Sequence, residues 1–366
     1  PPGVFGAGDW GNKTPLPDAT LLDLIEHFSS RTLSIANLPE DELGNGYEYL
    51  IKKFADDSGH TAQEFYTNRT LVHLMTMMLE PQPGESVYDP TCGTGGMLIS
   101  TVAELKRQGK EWRSLRLYGQ ELNYGTSAIA RMNLFLHGIT DGHIAHGDTL
   151  SRPAFHDPHG RLQTFDVVLA NPPYSIKAWN RDAFAKDPYG RNVWGVPPQG
   201  RADYAFFQHI AKSLDPVSGR AAILFPHGVL FRREEAALRE ALVKSDLIEC
   251  VLGLGPGLFY NSPMEAIVIT LRADKPAEQP GKVLFINAVN EVAREQAQSY
   301  LRATHQQRIL NAYRGFADIN QFAVVRTLDQ IAERAYSLAI PLNVAAARTA
   351  DAGNQMDLTE ATAEWR

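Results

Sequence analysis

The stretch from residue 85 to residue 107 constrains the fold of this chain more than any other. The sequence predicts a strand over residues 85–89, a glycine-rich loop from Asp89 to Met97 and a helix to residue 107. These three parts form the first unit of a doubly wound nucleotide-binding sheet. The glycines let the backbone approach a ligand, and an acidic residue before them suits a ligand with an amino group. The loop has neither the dinucleotide spacing G-x-G-x-x-G nor a Gly-Lys-Ser/Thr, so it favours neither a pyrophosphate nor a triphosphate.

Acidic residues end the next two predicted strands as well. Residues 115–120 form the second strand and Glu121 follows it, where a carboxylate can take the two ribose hydroxyls of an adenosine. Residues 143–147 form the third strand and lead to Asp148, which can meet the adenine amino group. One acidic residue at a strand end is common, but three on successive strands are hard to dismiss. The pattern therefore predicts an adenosine-containing ligand.

An apolar run at residues 165–170 ends abruptly in Asn171-Pro-Pro-Tyr174. The run predicts a central parallel strand, and the two prolines stop the ladder because neither has an N–H to donate. An exocyclic amine on a nucleobase is a poor nucleophile, since its lone pair is delocalised into the ring. If the Asn171 side-chain oxygen and the Pro172 carbonyl each accept one of its N–H bonds, the lone pair points at an electrophile. Tyr174 can stack on a base that has left its helix, although the motif could also be a simple turn.

The remaining elements complete the predicted sheet. Strands over residues 220–225, 247–252 and 266–271 bring the predicted sheet to seven, and residues 282–288 are expected to add another strand. Helices are expected over 123–137, 202–214 and 232–244. The fold class is α/β, a doubly wound, mostly parallel, seven-stranded Rossmann-like sheet with a small N-terminal helical region. We expect three parts: an N-terminal extension and helical region over residues 1–62, a catalytic domain over 63–290 and a C-terminal helical region over 291–366.

Composition indicates which kinds of partner and which cellular compartment to expect. The formal charge is −7, whereas a protein that held DNA alone would usually carry a basic excess, so any grip on DNA is expected to be local or shared with a partner. Cys92 and Cys250 are the only cysteines, too few for a disulfide framework, and no spacing of ligands predicts a metal site. No apolar run approaches the length of a membrane span, and the first residues do not resemble a signal sequence. We expect a cytoplasmic protein.

Two further segments carry candidate contacts. Phe65-Tyr-Thr67 precedes an apolar helix over residues 71–79, either with Thr67 as helix N-cap or as a ligand platform at the helix N-terminus. Residues 175–200 form a long loop in which basic and aromatic residues alternate beside the predicted base pocket. This pattern indicates a DNA-facing flap, although a solvated surface loop is the alternative. The residues predicted to face DNA are Lys177, Trp179, Arg181, Arg191 and Trp194.

The order of these motifs resembles the S-adenosylmethionine-dependent adenine-N6 DNA methyltransferases, and more narrowly the modification subunit of type I restriction-modification systems. The resemblance covers residues from about 40 to about 345. One departure is Asn68, which stands where that family usually has a proline and is expected to loosen its loop. The motifs that carry the resemblance are Phe65-Tyr-Thr67, Asp89-Pro-Thr-Cys-Gly-Thr-Gly-Gly96, Gln120-Glu121, Gly147-Asp148 and Asn171-Pro-Pro-Tyr174, supported by Gly46-Tyr-Glu-Tyr-Leu50, Ala130-Arg-Met-Asn133, Ala202-Asp-Tyr-Ala-Phe-Phe207 and Phe225-Pro-His-Gly-Val-Leu-Phe231.

The resemblance implies methyl transfer from S-adenosylmethionine to the N6 amine of a flipped adenine in DNA. It implies a specificity subunit as partner and leaves room for a restriction subunit. Two alternatives stay open: methylation of RNA bases or protein glutamine, and a catalytically silent cofactor-binding scaffold in a DNA complex. The catalytic residues are then Asn171, Pro172, Pro173 and Tyr174. The predicted cofactor contacts include the residues discussed above. In full they are Glu64, Phe65, Tyr66, Thr67, Asn68, Arg69, Asp89, Thr91, Gly93, Thr94, Gly95, Gly96, Glu121 and Asp148.

Overall fold

The computed structural model describes residues 17–32, 37, 42–57, 67–258, 265–295 and 298–344. The helices are α1 (Asp18–Ser29), α2 (Glu42–Asp57), α3 (Arg69–Leu79), α4 (Gly96–Arg107), α5 (Tyr124–Leu136), α6 (Arg181–Ala185), α7 (Asp203–Lys212), α8 (Ala236–Lys244), α9 (Ala303–Gly315), α10 (Leu328–Ala332) and α11 (Ile340–Asn343). The strands are β1 (Ser86–Asp89), β2 (Arg116–Glu121), β3 (His143–His146), β4 (Val167–Ala170), β5 (Arg220–Pro226), β6 (Ile248–Pro256), β7 (Glu265–Arg272), β8 (Lys282–Ala288), β9 (Ala293–Glu295), β10 (Gln298–Tyr300) and β11 (Ala323–Thr327).

The central sheet has nine strands in the order β11-β8-β6-β7-β5-β4-β1-β2-β3. The five strands from β5 to β3 are mutually parallel, whereas β7 is antiparallel to both of its neighbours. The chain starts at β1 in the middle and winds outward in both directions, which confirms the doubly wound fold. The predicted count of seven strands is corrected to nine, because β8 pairs with β6 and β11 then pairs with β8.

The core lies on both faces of this sheet. Every residue of β1, β4 and β5 is buried, as parallel strands covered on two sides require. On one face, α3, α4 and α9 cover the strands with a cluster that includes Leu74, Leu98 and Ile309. On the other face, α7 and α8 pack with Phe207, Phe225 and Leu242. The carboxyl ends of β1, β2, β3 and β4 therefore meet at one rigid edge, where ligands of such sheets bind.

The part of the chain after residue 290 is only partly helical, in contrast to the prediction. Within the region predicted to be helical over residues 291–366, residues 298–300 form β10, which pairs with β9, and α9 begins at Ala303. Farther along the chain, the short helix α11 packs against β6 and β8. The helix predicted over 232–244 begins with a 3₁₀ turn at Arg233–Glu235 before α8.

The N-terminal helical region is described in part. Helix α2 packs on α5, where Gly44 lies so close to the His137 ring that a Cβ would come within 2.6 Å of it. Helix α1 buries none of its residues. The predicted lead-in over residues 1–16 and the chain from residue 345 lie outside the described residues. None of the helices described is both long enough and apolar enough to cross a membrane.

Candidate active site

A cavity of about 310 Å³ opens at the carboxyl end of β1. The glycine loop forms its floor, helices α2, α3 and α4 form its walls, and the tip after β4 reaches its mouth. Helices α2, α3 and α4 contribute both polar and apolar side chains to the lining. The lining includes Asn45, Glu48, Ile51, Thr67, Arg69, Val72, Asp89, Thr91, Gly93, Thr94, Gly96, Ile99, Val102, Ala103, Asn133, His137 and Asn171. The cavity thus brings together predicted cofactor residues and the first residue of the predicted catalytic tip.

The shape of the glycine loop requires a glycine at position 95. Gly95 is the N-cap of α4 with φ +82°, and a Cβ on it would lie 2.7 Å from Cδ1 of Leu134. A Cβ on Gly96 would meet no atom within 4 Å. The loop is held from outside by Asn133, whose Nδ2 donates to the Thr94 carbonyl at 3.0 Å. The backbone therefore presents an open, fixed surface to the cavity.

The Asp89 carboxyl is the most strongly perturbed acid in the cavity. Only 2% of the residue is exposed, and its Oδ1 accepts the Thr91 N–H at 3.0 Å. Burial raises the pKa of Asp89 to about 8, with a smaller contribution from the nearby Glu121 carboxylate and against the hydrogen bond from Thr91. Such a group favours a cationic ligand, since a positive charge beside it would replace the missing solvation of the carboxylate.

Two polar atoms in the cavity lining lack a hydrogen-bond partner within the described part of the chain. They are Oγ1 of Thr91 and Oδ1 of Asn133, both buried. A buried polar atom without a partner costs free energy, so its presence beside a cavity fits a ligand that supplies the missing bond. Asn133 was not among the predicted cofactor residues, although it ends the Ala130-Arg-Met-Asn133 motif that supports the family resemblance.

Glu121 and Asp148 lie on the rim beyond the cavity lining. Glu121 is 8% exposed, and its two oxygens accept the Gly93 N–H at 3.0 Å and the Asn123 N–H at 2.8 Å. Burial raises the pKa of this carboxyl, against those backbone hydrogen bonds. Asp148 is half-buried and accepts the Leu150 N–H at 3.0 Å. Beside them Leu122 is 66% exposed, an apolar surface that the sequence analysis missed although it directly follows the acidic residue.

The start of α3 differs from the prediction. Asn68, not Thr67, is the N-cap, and its Oδ1 accepts the Thr70 N–H at 3.0 Å. Its Nδ2 donates to the Ser299 carbonyl at 2.8 Å, so the expected loosening at this position is wrong and the asparagine joins two distant segments. Arg69 pairs with Glu48 of α2. Glu64, Phe65 and Tyr66 lie outside the described residues.

The tip after β4 is tied to Thr67, the residue that precedes the N-cap of α3 and lines the cavity. Asn171 donates from Nδ2 to Oγ1 of Thr67 at 3.0 Å. The Tyr174 hydroxyl donates to Oδ1 of the same asparagine, and burial raises the pKa of this phenol well above its usual value. Pro172 is buried between them. The tyrosine hydroxyl therefore occupies the acceptor that the predicted mechanism gives to the substrate amine.

The long loop over residues 175–200 is more ordered than a solvated loop. Trp179 donates from Nε1 to the Gln199 carbonyl at 2.8 Å, and Arg181 donates from Nε to the Pro197 carbonyl at 2.8 Å. Lys177 is exposed. Trp194 is half-buried, with its ring against Phe207 in the core.

The prediction that Arg191 faces DNA is wrong. This residue is 1% exposed and pairs with the Asp187 carboxylate at 2.6 Å. Its guanidinium also donates to the carbonyls of Thr149 at 2.9 Å and Leu150 at 2.6 Å. A buried arginine that satisfies an acid and two carbonyls holds the loop against the segment that follows Asp148.

A sequence profile described as "N-6 DNA Methylase" matches residues 39–352. The chain belongs to the N-6 DNA methylase family. The match spans the cavity at the carboxyl end of β1, the tip after β4 and the whole central sheet, so these features of the structure are features of a methylase domain.

Type I restriction enzyme methylase subunits are among the proteins to which this chain is similar. It is 32% identical over 342 residues to the type I restriction enzyme MjaIX methylase subunit of Methanocaldococcus jannaschii, covering 89% of this chain and 60% of that protein. It is 33% identical over 252 residues to the HindI methylase subunit of Haemophilus influenzae, covering 68% of this chain and 54% of that protein. The chain therefore spans between half and two thirds of these methylases.

Solved structures agree with the fold. A type I restriction-modification methyltransferase subunit from Streptococcus thermophilus is 34% identical and superposes with a TM-score of 0.79, covering 89% of this chain and 68% of that one. A putative class I S-adenosylmethionine-dependent methyltransferase from Listeria monocytogenes is 18% identical, with a TM-score of 0.61 over 81% of this chain and 85% of that one. At that identity the second match shows only that the two chains share a fold.

Proposed function

We propose that this protein transfers a methyl group from S-adenosylmethionine to the exocyclic N6 amine of a flipped adenine in DNA, as the modification subunit of a type I restriction-modification system. One observation carries the proposal: Asn171 of the tip and the glycine loop line the same cavity. An amine held by the tip would therefore lie beside a cofactor held by the loop. Two methylase relatives that each cover 89% of this chain bear type I names, which supports the type of system.

The residues of the cavity fit S-adenosylmethionine. Its ammonium group suits the buried Asp89, and its polar methionine end can bond the orphaned Thr91 and Asn133 atoms. Glu121 would take the ribose hydroxyls while it keeps its backbone bonds, and Asp148 would meet the adenine amine. The cofactor supplies an electrophilic methyl group on a sulfonium. Glu64, Phe65 and Tyr66 stay predicted contacts that follow from the family resemblance.

The tip acts by positioning. Asn171 Oδ1 and the Pro172 carbonyl would each accept one N–H of the adenine amine, so that its nitrogen lone pair points into the cavity. The Tyr174 hydroxyl must leave Asn171 when the base enters, after which its ring can stack on the base. Thr67 keeps the other end of the asparagine amide fixed and so prevents it from turning. No side chain with a pKa near neutrality is needed beside the amine.

DNA contact would come from the exposed part of the 175–200 loop and from a partner. Lys177, Trp179 and Arg181 stay in the proposed contact surface, and Trp194 contributes only through its exposed edge. The net charge of −7 supports a separate specificity subunit that supplies most of the phosphate contacts. A restriction subunit would join the same complex if the system cleaves DNA.

The test is methyl transfer from labelled S-adenosylmethionine to separate DNA, RNA and protein pools, with the chain alone and with its specificity subunit. We expect the wild-type protein to transfer label to adenine in duplex DNA. Asn171→Ala should transfer none, although its affinity for the cofactor should change less than about twofold. The matched control is Asn311→Ala, an exposed asparagine on α9 that should methylate normally. Label in RNA or protein would identify another substrate, and full activity of Asn171→Ala would exclude the mechanism.

A further inference from the structure

The residue directly after the catalytic tip has an unusual backbone conformation. Ser175 has φ +52°, in the left-handed region that side chains other than glycine rarely occupy. Such a conformation persists only where surrounding contacts impose it, and it is frequent at functional sites. It also sets the direction in which the chain leaves Tyr174. The groups that hold Ser175 therefore hold the tip.

Two side chains from the start of α7 hold this turn. Asp203 accepts the Ser175 N–H on Oδ1 at 2.7 Å, and Arg201 donates from Nη1 to the Ser175 hydroxyl at 3.0 Å. Asp203 is 0% exposed and lies in the first turn of its helix, where the helix dipole favours a negative charge. Its carboxylate reaches across to the turn after the tip.

The second oxygen of Asp203 is held by a third segment. Arg232, which follows β5, donates from Nη1 to Oδ2 at 2.6 Å. Gly228 makes room for this arginine, because a Cβ there would lie 2.7 Å from its Nε. Arg239 fixes the backbone at the same point by donating to the Arg232 carbonyl at 2.9 Å. Both carboxylate oxygens are thus used, one for the turn and one for the arginine.

We propose that Asp203 is a positioning residue for methyl transfer, which holds Ser175 in its left-handed conformation and thereby aims Asn171 and Tyr174 at the cavity. The inference rests on the proposed function, since it assigns a role in the same reaction. Asp203 is not among the residues that line the cavity, so it would act through the turn. Arg232 is its counter-ion and orients the carboxylate toward the turn.

The experiment compares Asp203→Asn, Ser175→Gly and the double variant in the complex that methylates DNA. An amide has one acceptor oxygen where the carboxylate has two, so asparagine can serve the turn or Arg232 but not both. We expect kcat of Asp203→Asn to fall about tenfold or more, because small misplacements of reacting groups are costly. Its affinity for S-adenosylmethionine should stay within about twofold, measured by calorimetry.

Ser175→Gly supplies the discriminating readout. Glycine adopts a positive φ without a Cβ penalty, so the single variant should keep kcat within about twofold and the double variant should recover at least about threefold of what Asp203→Asn lost. The matched control is Glu249→Gln, a buried acid paired with Arg272 away from the tip. Its thermal stability should fall without a loss of kcat, and Ser175→Gly should not restore it.

The possible outcomes distinguish a failure of the positioning role from a failure of the proposed function. Full kcat for Asp203→Asn beside an active wild-type protein would overturn the positioning role alone. A loss of kcat that Ser175→Gly does not restore would also overturn it, because the role would then be structural support. A wild-type complex that transfers no methyl group to DNA would overturn the proposed function and this inference with it.

Discussion

Replacement of Asp89 by asparagine should stabilise the cofactor-free protein, and more so as the pH rises. Burial raises the pKa of this carboxyl to about 8 in the folded protein, whereas an aspartate in an unfolded chain titrates near 3.9. Between these two values the folded state keeps a proton that the unfolded state has lost. The folded wild-type protein therefore loses stability as the pH rises through this window. The amide introduced by Asp89→Asn would not titrate, and its oxygen can still accept the Thr91 N–H.

The magnitude follows from the width of the window. Each pH unit in which only the folded state holds the proton changes the free energy of unfolding by about 1.4 kcal/mol. Between pH 5.5 and pH 7.5 the advantage of Asp89→Asn over the wild type should therefore grow by about 2.5 kcal/mol. No discount for solvent screening applies, because the carboxyl is almost completely buried.

Urea unfolding of both proteins at pH 5.5, 6.5 and 7.5 without cofactor measures this difference. The control is Asp215→Asn, since hydrogen bonds from Ser218 and Val217 hold the pKa of Asp215 below its usual value. Its ionisation is complete below pH 5.5, and the effect of that variant should be constant over the range. A constant effect for Asp89→Asn as well would refute the argument that burial keeps Asp89 protonated.

Other variants test the tip, the glycine loop and the long loop. Tyr174→Phe should keep at least about half of the wild-type kcat, because it removes only the competing hydroxyl. Tyr174→Ala should raise KM for DNA at least about fivefold, because the stacking contact is lost. Equal losses in the two variants would contradict this prediction. Gly95→Ala should lower the free energy of unfolding by about 2 kcal/mol or more, since it combines a positive φ with a contact on Leu134, and a neutral effect in urea titration would refute it. Arg191→Gln should cost about 3 kcal/mol by the same assay, because a buried acid and two carbonyls lose their partner, and a cost under about 1 kcal/mol would oppose the assigned role. Lys177→Gln should leave stability within about 0.5 kcal/mol and reduce the salt dependence of DNA binding by about one unit of slope; an unchanged slope would remove Lys177 from the contact surface.

Local signals in the sequence were enough for the parts of the site that single segments build. Each of three parts follows from residues adjacent in the chain: the glycine loop after β1, Glu121 at the end of β2 and the tip after β4. The structure has them at the ends of strands, as the strand pattern predicts. Pairing over long distances was harder: β11 joins β8 across about 40 residues, and no local pattern announces it.

Residues whose roles depend on tertiary partners were mispredicted or missed. Arginine is seldom buried, so Arg191 looked like a surface residue until Asp187 and two carbonyls appeared around it. Thr67 and Asn68 are both good N-caps, and only the geometry of α3 decides between them. Asp203 has a role only because α7 brings it beneath the turn after the tip.

The buried Arg191 also couples the binding of the two proposed ligands, the cofactor and DNA. It fastens the loop that would meet DNA to the carbonyls that follow Asp148 at the cofactor rim, so the two surfaces cannot shift independently. If cofactor binding favours one arrangement of the rim, it therefore also favours the matching arrangement of the DNA surface, and by the same free energy. Because such linkage is reciprocal, DNA would strengthen cofactor binding by the same factor by which the cofactor strengthens DNA binding.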